Sequence, residues 1–185
     1  VFVTATKEFA MNPYRIFAIA IIFCLVMCSE SLANGQGGRA RVPPPVPLTV
    51  DTQGMTAAMI TELRCLSLNV YYEARGTNYR NQLAVAWVVR NRQAMTGQSI
   101  CQVIYSPGQF TWTTKGMRWP AERNSWALAQ QLALLVLQDH VYDITQGATH
   151  FHEHRMRPSW VRRAQTTVRI GSHTFHRIAQ IAEVR

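Results

Sequence analysis

Leu83-Ala84-Val85-Ala86-Trp87-Val88-Val89 runs without a polar residue until Arg90. Small side chains alternating with large ones over two helical turns suit a helix buried on most sides, and the spacing predicts a start near Asn78 and a stop at Gly97. A buried helix needs neighbours with apolar faces of their own. Upstream, Met59, Ile60, Leu63, Leu66, Val70 and Tyr71 recur at helical spacing behind a Thr56 cap, with Glu62 and Arg64 outward, and this helix should end near Gly76. Downstream, Ser99 to Tyr105 reads as a short helical turn holding Cys101, and Ser106-Pro107-Gly108-Gln109-Phe110-Thr111-Trp112 reads as a loop. A third long helix is predicted from about Ser125 to Leu137, with Trp126, Leu128, Ala129, Leu132, Leu135 and Val136 inward.

Beyond that helix the period changes. Thr149-His150-Phe151-His152 alternates like a strand, and Thr167-Val168-Arg169-Ile170, Gly171-Ser172 and His173-Thr174-Phe175 read as a hairpin with a primed turn. Helices first and strands last predict an α+β fold, mainly helical with a small C-terminal antiparallel β-sheet.

The chain has 185 residues, 48% hydrophobic and 16% charged, enough for one ordinary domain with a short appendage. Gross disorder, collagen and a multi-span membrane protein are excluded. Asn12-Pro13-Tyr14-Arg15, the apolar run Ile16 to Cys28 and the small residues Ser31 and Ala33 resemble a secretory signal that starts at Met11 and engages the export machinery. The run falls short of the about 20 apolar residues of a comfortable membrane span. A lipoprotein box at Leu25-Val26-Met27-Cys28 and an uncleaved signal tethering the chain to the inner membrane are the competing readings. The expected organisation is residues 1–33 as signal peptide with an upstream extension, 34–54 as a Pro/Gly-rich linker, and 55–185 as the catalytic domain. The expected location is the periplasm or cell envelope. Removal of the signal leaves Cys65 and Cys101, an even pair that suggests one disulfide in an exported protein, against the alternative of two buried thiols.

Nineteen Lys and Arg against ten Asp and Glu give a net charge of +9, which favours a polyanionic partner. The arginines are scattered and no familiar nucleic-acid motif organises them, so an anionic envelope surface is the expected partner and nucleic acid is not.

Tyr71-Tyr72-Glu73-Ala74-Arg75-Gly76 is where chemistry is best sought. Glu73 follows Val70 by three residues and Leu66 by seven, which puts its carboxylate on the inward stripe of the first helix, in its last turn. Partial burial and the negative end of the helix dipole both disfavour ionisation there. A carboxylic acid that stays protonated near neutral pH is what glycosidic cleavage requires. The competing reading is a structural ion pair with Arg75 or a neighbouring arginine.

Three stretches carry a resemblance: Cys65 to Gly76 (CLSLNVYYEARG), Gln82 to Arg92 (QLAVAWVVRNR) and Ile100 to Phe110 (ICQVIYSPGQF). Gly147 to His152, Pro158-Ser159-Trp160 and Ile170 to Phe175 continue it. Over about residues 60 to 177 the chain closely resembles the SleB-type cell wall hydrolases. The resemblance implies a lysozyme-like fold acting on the glycan of peptidoglycan, with Glu73 as catalytic acid and Cys65 and Cys101 as a cysteine pair. Relatives often continue the first motif as Glu-Ala-Arg-Gly-Glu, whereas Thr77 stands here, so the second carboxylate of a two-carboxylate scheme is missing at that site.

A lytic transglycosylase needs only one carboxylate, and this is the expected activity, ahead of a muramidase or glucosaminidase that would draw on Asp143 or Glu153. Substrate contacts are expected from Gln109 and Phe110 on the Pro-Gly loop, from Tyr72, from His150 and His152, and from Trp160. For Phe110, Tyr72 and Trp160, packing in the core is the competing reading. Asn91 reads as a structural hydrogen-bond centre. His150, His152 and His154 alternate as strand residues do, a spacing compatible with the metal site of a zinc amidase; no helical His-Glu-x-x-His element accompanies them, and neither metal nor cofactor is expected. A monomer is expected, and a non-catalytic wall-binding module is the remaining alternative.

Overall fold

A computed structural model describes residues 47–178. The signal segment, most of the linker and residues 179–185 lie outside them. Helix α1, Ala57–Ala74, starts where the Thr56 hydroxyl accepts the Met59 N–H, and it ends at an extended Arg75 followed by Gly76 at φ +81°. Helix α2, Tyr79–Thr96, is capped by the Asn78 side chain and closed by Gly97 in the left-handed conformation that glycine adopts without steric cost. Helix α3, Ile100–Tyr105, opens with a reciprocal capping box between Ser99 and Gln102. A single 3-10 turn at Thr111–Thr113 interrupts the following loop and buries Trp112. Helix α4, Arg123–Leu137, begins two residues before the expected Ser125 and has no side-chain cap.

Strand β1, His150–Glu153, is followed by a 3-10 helix at Ser159–Arg163, then by β2, Gln165–Ile170, and β3, His173–Arg177. The three strands form an antiparallel sheet in the order β1-β3-β2. The α+β class expected from the order of periods is therefore the fold observed. At the β2–β3 turn Gly171 has φ +56°, and a Cβ there would meet Asn81 at 3.3 Å, so both the turn and the close approach to α2 require glycine.

The central helix separates two cores. Leu83, Ala86, Trp87 and Val89 pack with Leu63, Leu66 and Val70 of α1 and Leu132 and Val136 of α4. Ala84 and Val88, on its other side, meet Ala148, Ile170 and Phe175 at the sheet. Phe175 is fully buried, and removing such a ring from water is worth about 1.5 to 3 kcal/mol. The small Ala84 is what lets the sheet approach, and a larger side chain there would push the layers apart. A disulfide joins Cys65 of α1 to Cys101 of α3, with Cα atoms 5.4 Å apart.

The end of the stretch read as linker lies on the domain. The Pro47 carbonyl accepts the Trp126 indole N–H at 3.1 Å, the Thr49 N–H reaches the Gln130 side-chain oxygen, and Leu48 and Val50 pack on the helical core.

Candidate active site

Glu73 occupies the last turn of α1, partly buried. Burial pushes its carboxyl above the ordinary carboxylate range, and the Arg92 guanidinium opposes that rise. Arg75 does not compete for it: its Nε bonds Glu122 Oε1 at 3.0 Å and its guanidinium lies 5.0 Å from the centre of the Tyr71 ring. Among the described residues neither ion pair involves Glu73. Arg75, the first structural partner the sequence offered for Glu73, is thus engaged with Glu122 instead. Thr77, standing where relatives often have a second acid, donates its hydroxyl to the Ala74 carbonyl at 2.7 Å and helps terminate α1.

Arg92 comes from α2 and links three parts of the site. Its Nε donates to the Thr149 carbonyl at 2.6 Å, just before β1, and Nη1 donates to Gln109 Oε1 at 2.8 Å. Its guanidinium sits 5.3 Å from the centre of the Phe110 ring. Burial lowers Arg92 to about 10, with Glu73 working in the opposite direction, so it remains a cation at neutral pH. An open cavity of about 200 Å³ beside it is lined by Arg92, Met95, Gln98, Val103, Gln109 and His150.

His150 and His152 project from the same face of β1, and His176 lies opposite His150 on β3. Trp160 closes over them, its ring 5.4 Å from His150, 5.6 Å from His152 and 5.3 Å from His176. Burial, followed by the fields of Arg92 and His176, lowers His150 to about 4, so it is neutral at neutral pH. His154 does not join this face as the alternating spacing led us to expect. Strand β1 stops at Glu153, and His154 turns back so that its Nδ1 meets the Ser172 carbonyl at 2.9 Å. Among the described residues no group of three or more His, Cys, Asp or Glu side chains is placed to hold a metal ion.

The other candidates are distributed more unevenly. Gln109 is exposed and tied to Arg92. Phe110 is only 4% exposed and belongs to the helical core, so its ring has little area to offer a ligand. Tyr72 stacks on Trp112 with ring centroids 4.9 Å apart, and its hydroxyl donates to the Arg118 carbonyl, which fastens the 111–118 loop to α1. Asn91 donates through Nδ2 to Asp143, Thr145 and the Ala148 carbonyl at 2.9 to 3.2 Å. Asp143 also accepts the Thr145 and Gly147 N–H groups and the Thr145 hydroxyl, so both its oxygens are engaged in holding the turn before β1. Glu153 stands exposed at the end of β1.

Arg92 and His176 are the site residues that sequence reasoning passed over. The sequence alone leaves Arg92 among the scattered arginines. The signal for it was its position four residues after Val88 and eight after Ala84, on the stripe of α2 that faces the sheet. His176 follows Thr174 by two, which puts both on one face of β3.

A family model described as Cell Wall Hydrolase matches residues 76–176, from the residue after Arg75 to the penultimate residue of β3. The chain belongs to the cell wall hydrolase family. A wall-hydrolysing activity goes with that membership, and the matched region holds Arg92, Gln109, His150, His152, Trp160 and His176, while Glu73 lies three residues before it. Among solved structures, this family member is similar to the catalytic domain of the Bacillus cereus SleB protein, with TM-score 0.54 and 24% identity over 73% of this chain and 98% of that one. It is also similar to the catalytic domain of the germination-specific lytic transglycosylase SleB from Bacillus anthracis, with TM-score 0.56 and 24% identity over 69% and 100%. At that identity the likeness establishes the shared fold. No curated protein matches the chain with significance.

Proposed function

We propose that this cell wall hydrolase cleaves the glycan strand of peptidoglycan between N-acetylmuramic acid and N-acetylglucosamine, as a lytic transglycosylase with Glu73 as the single acid and base. The observation that supports it is a half-buried carboxyl, held toward its protonated form by burial and not consumed by an ion pair. Glu73 gives its proton to the glycosidic oxygen as the bond to muramic C1 breaks. The resulting carboxylate takes the proton of the C6 hydroxyl of the same ring, whose oxygen closes on C1. The products are a free hydroxyl on the leaving sugar and a 1,6-anhydromuramic end; no water is consumed and Glu73 is again protonated.

A hydrolytic scheme needs a second group to place water or carry a glycosyl intermediate. Both oxygens of Asp143 are already engaged in the turn, and Glu153 is exposed at the strand end. The one-carboxylate route asks nothing of either. Gln109, His150, His152 and Trp160 supply the hydrogen bonds and ring surfaces by which a sugar is held, with the basic surface drawing the enzyme to an anionic envelope after export.

Glu73→Gln keeps the size and hydrogen-bond reach of the acid but carries no proton to give up. Cleavage of purified peptidoglycan should fall by about 10²- to 10⁴-fold, with wall binding and cooperative melting retained. Mass spectrometry of wild-type products should find anhydromuramic ends. Reducing muramic ends, with Glu73 still essential, would make the enzyme a muramidase and overturn the transglycosylase.

A further inference from the structure

We infer that Arg92 is a positioning residue: from α2 it pins the Gln109 loop to the residue preceding β1 and fixes one guanidinium charge beside Glu73. The inference rests on the reading of Glu73 as the acid and adds a device that sets how readily that acid lets go of its proton.

The geometry carries the argument. A cation half-buried at the seam of two cores is costly unless its donors are satisfied. Here the two bonds of 2.6 and 2.8 Å go to a backbone carbonyl before β1 and to an amide on the loop after α3, two segments that share no direct chain connection. The buried Phe110 ring lies under the same group and limits its rotation. A guanidinium can hold two separated acceptors in one plane, which a lysine cannot. The arginine therefore holds Gln109 and the His150 strand at a fixed spacing from α2.

The charge has a second effect. An acid that must donate a proton and then take one back works best when its proton affinity lies near the working pH. Burial alone drives Glu73 upward, and a carboxyl pushed too high would hold its proton through the bond-breaking step. Arg92 is the charged group whose field reaches Glu73 and moderates that rise. The other groups around it do not substitute: Arg75 is turned to Glu122, His150 on β1 is uncharged, and Tyr72 is fastened to Arg118.

The test follows the side-chain carboxyl carbon of Glu73 by NMR across pH, in wild type, Arg92→Gln and Arg92→Lys, beside the pH profile of kcat/KM on soluble glycan fragments. Loss of the charge in Arg92→Gln should raise the Glu73 midpoint, and the descending limb of kcat/KM should move to higher pH with it. Arg92→Lys should keep most of the midpoint while raising KM, because the charge remains and the two-point clamp does not. Gln109→Ala, on an exposed loop that does not threaten the fold, should raise the midpoint less than Arg92→Gln by loosening the guanidinium. A midpoint unmoved in folded Arg92→Gln, or in Gln109→Ala if Arg92→Gln does not fold, overturns the inference. Failure of the underlying reading is separate: it would show as Glu73→Gln retaining cleavage.

Discussion

The disulfide is the feature whose energetic weight can be worked from the chain itself. Cys65 and Cys101 are separated by 36 positions, and tying a loop of that length removes unfolded-state entropy worth about 4 kcal/mol at 25 °C. The natural perturbation is reduction, because it opens the loop and leaves every sulfur atom in place, so no packing loss is mixed into the result. Urea unfolding curves of the mature domain, equilibrated with and without a phosphine reductant and read by tryptophan fluorescence, measure the difference. With a urea slope of about 2 kcal/mol/M for a domain of this size, the midpoint should fall by about 2 M. Both cysteines are buried, Cys65 fully and Cys101 at 4% exposure, so reduction must proceed through unfolding and the samples need long equilibration. A loss well below the about 2 kcal/mol at the low end for native bridges would refute the reasoning, since it would mean the unfolded chain is already restrained without the link.

Two further outcomes follow from the same structure. The Glu73 carboxyl has a higher pKa folded than unfolded, so ionisation costs stability as pH rises from its unfolded value through its folded one; Glu73→Gln should match wild type in urea stability near pH 4 and exceed it at pH 7, a gap that would be absent if burial did not raise the acid. Asn91→Ala removes a donor shared among Asp143, Thr145 and Ala148 and leaves partly buried acceptors short of a partner, so the domain should lose about 2 to 3 kcal/mol in the same unfolding assay.

Much of the helical layer could be read directly, because its ends are chemically punctuated. Thr56, Asn78 and Ser99 each accept the backbone N–H that their positions imply, and Gly97 takes the left-handed turn. Where such punctuation is missing the reading slipped, as at α4, whose first turn begins at Arg123 behind an uncapping Glu122. The inward side of Glu73 was legible because it continues a stripe of leucine and valine. Arg92 was not, although it continues the Ala84-Val88 stripe just as directly, because a charge at an inward position becomes tenable only through acceptors from Gln109 and Thr149, 17 and 57 residues away. The same limit applies to the histidines. Alternation places His150 and His152 together, but the end of a short strand is decided by its partner: β3 begins at His173, opposite Glu153, and His154 meets Ser172 in the turn before it.

The contacts made by Pro47, Leu48, Thr49 and Val50 move the amino-terminal edge of the folded unit ten residues ahead of α1. A shortened chain that begins at the Thr56 cap would uncover the face of Trp126 and strip the fully buried Gln130 amide oxygen of the backbone donor that satisfies it. Any trimming of the proline-rich stretch therefore has to stop before Pro47. A pull applied through that stretch would be felt first at α4, a helix that carries no residue of the proposed site.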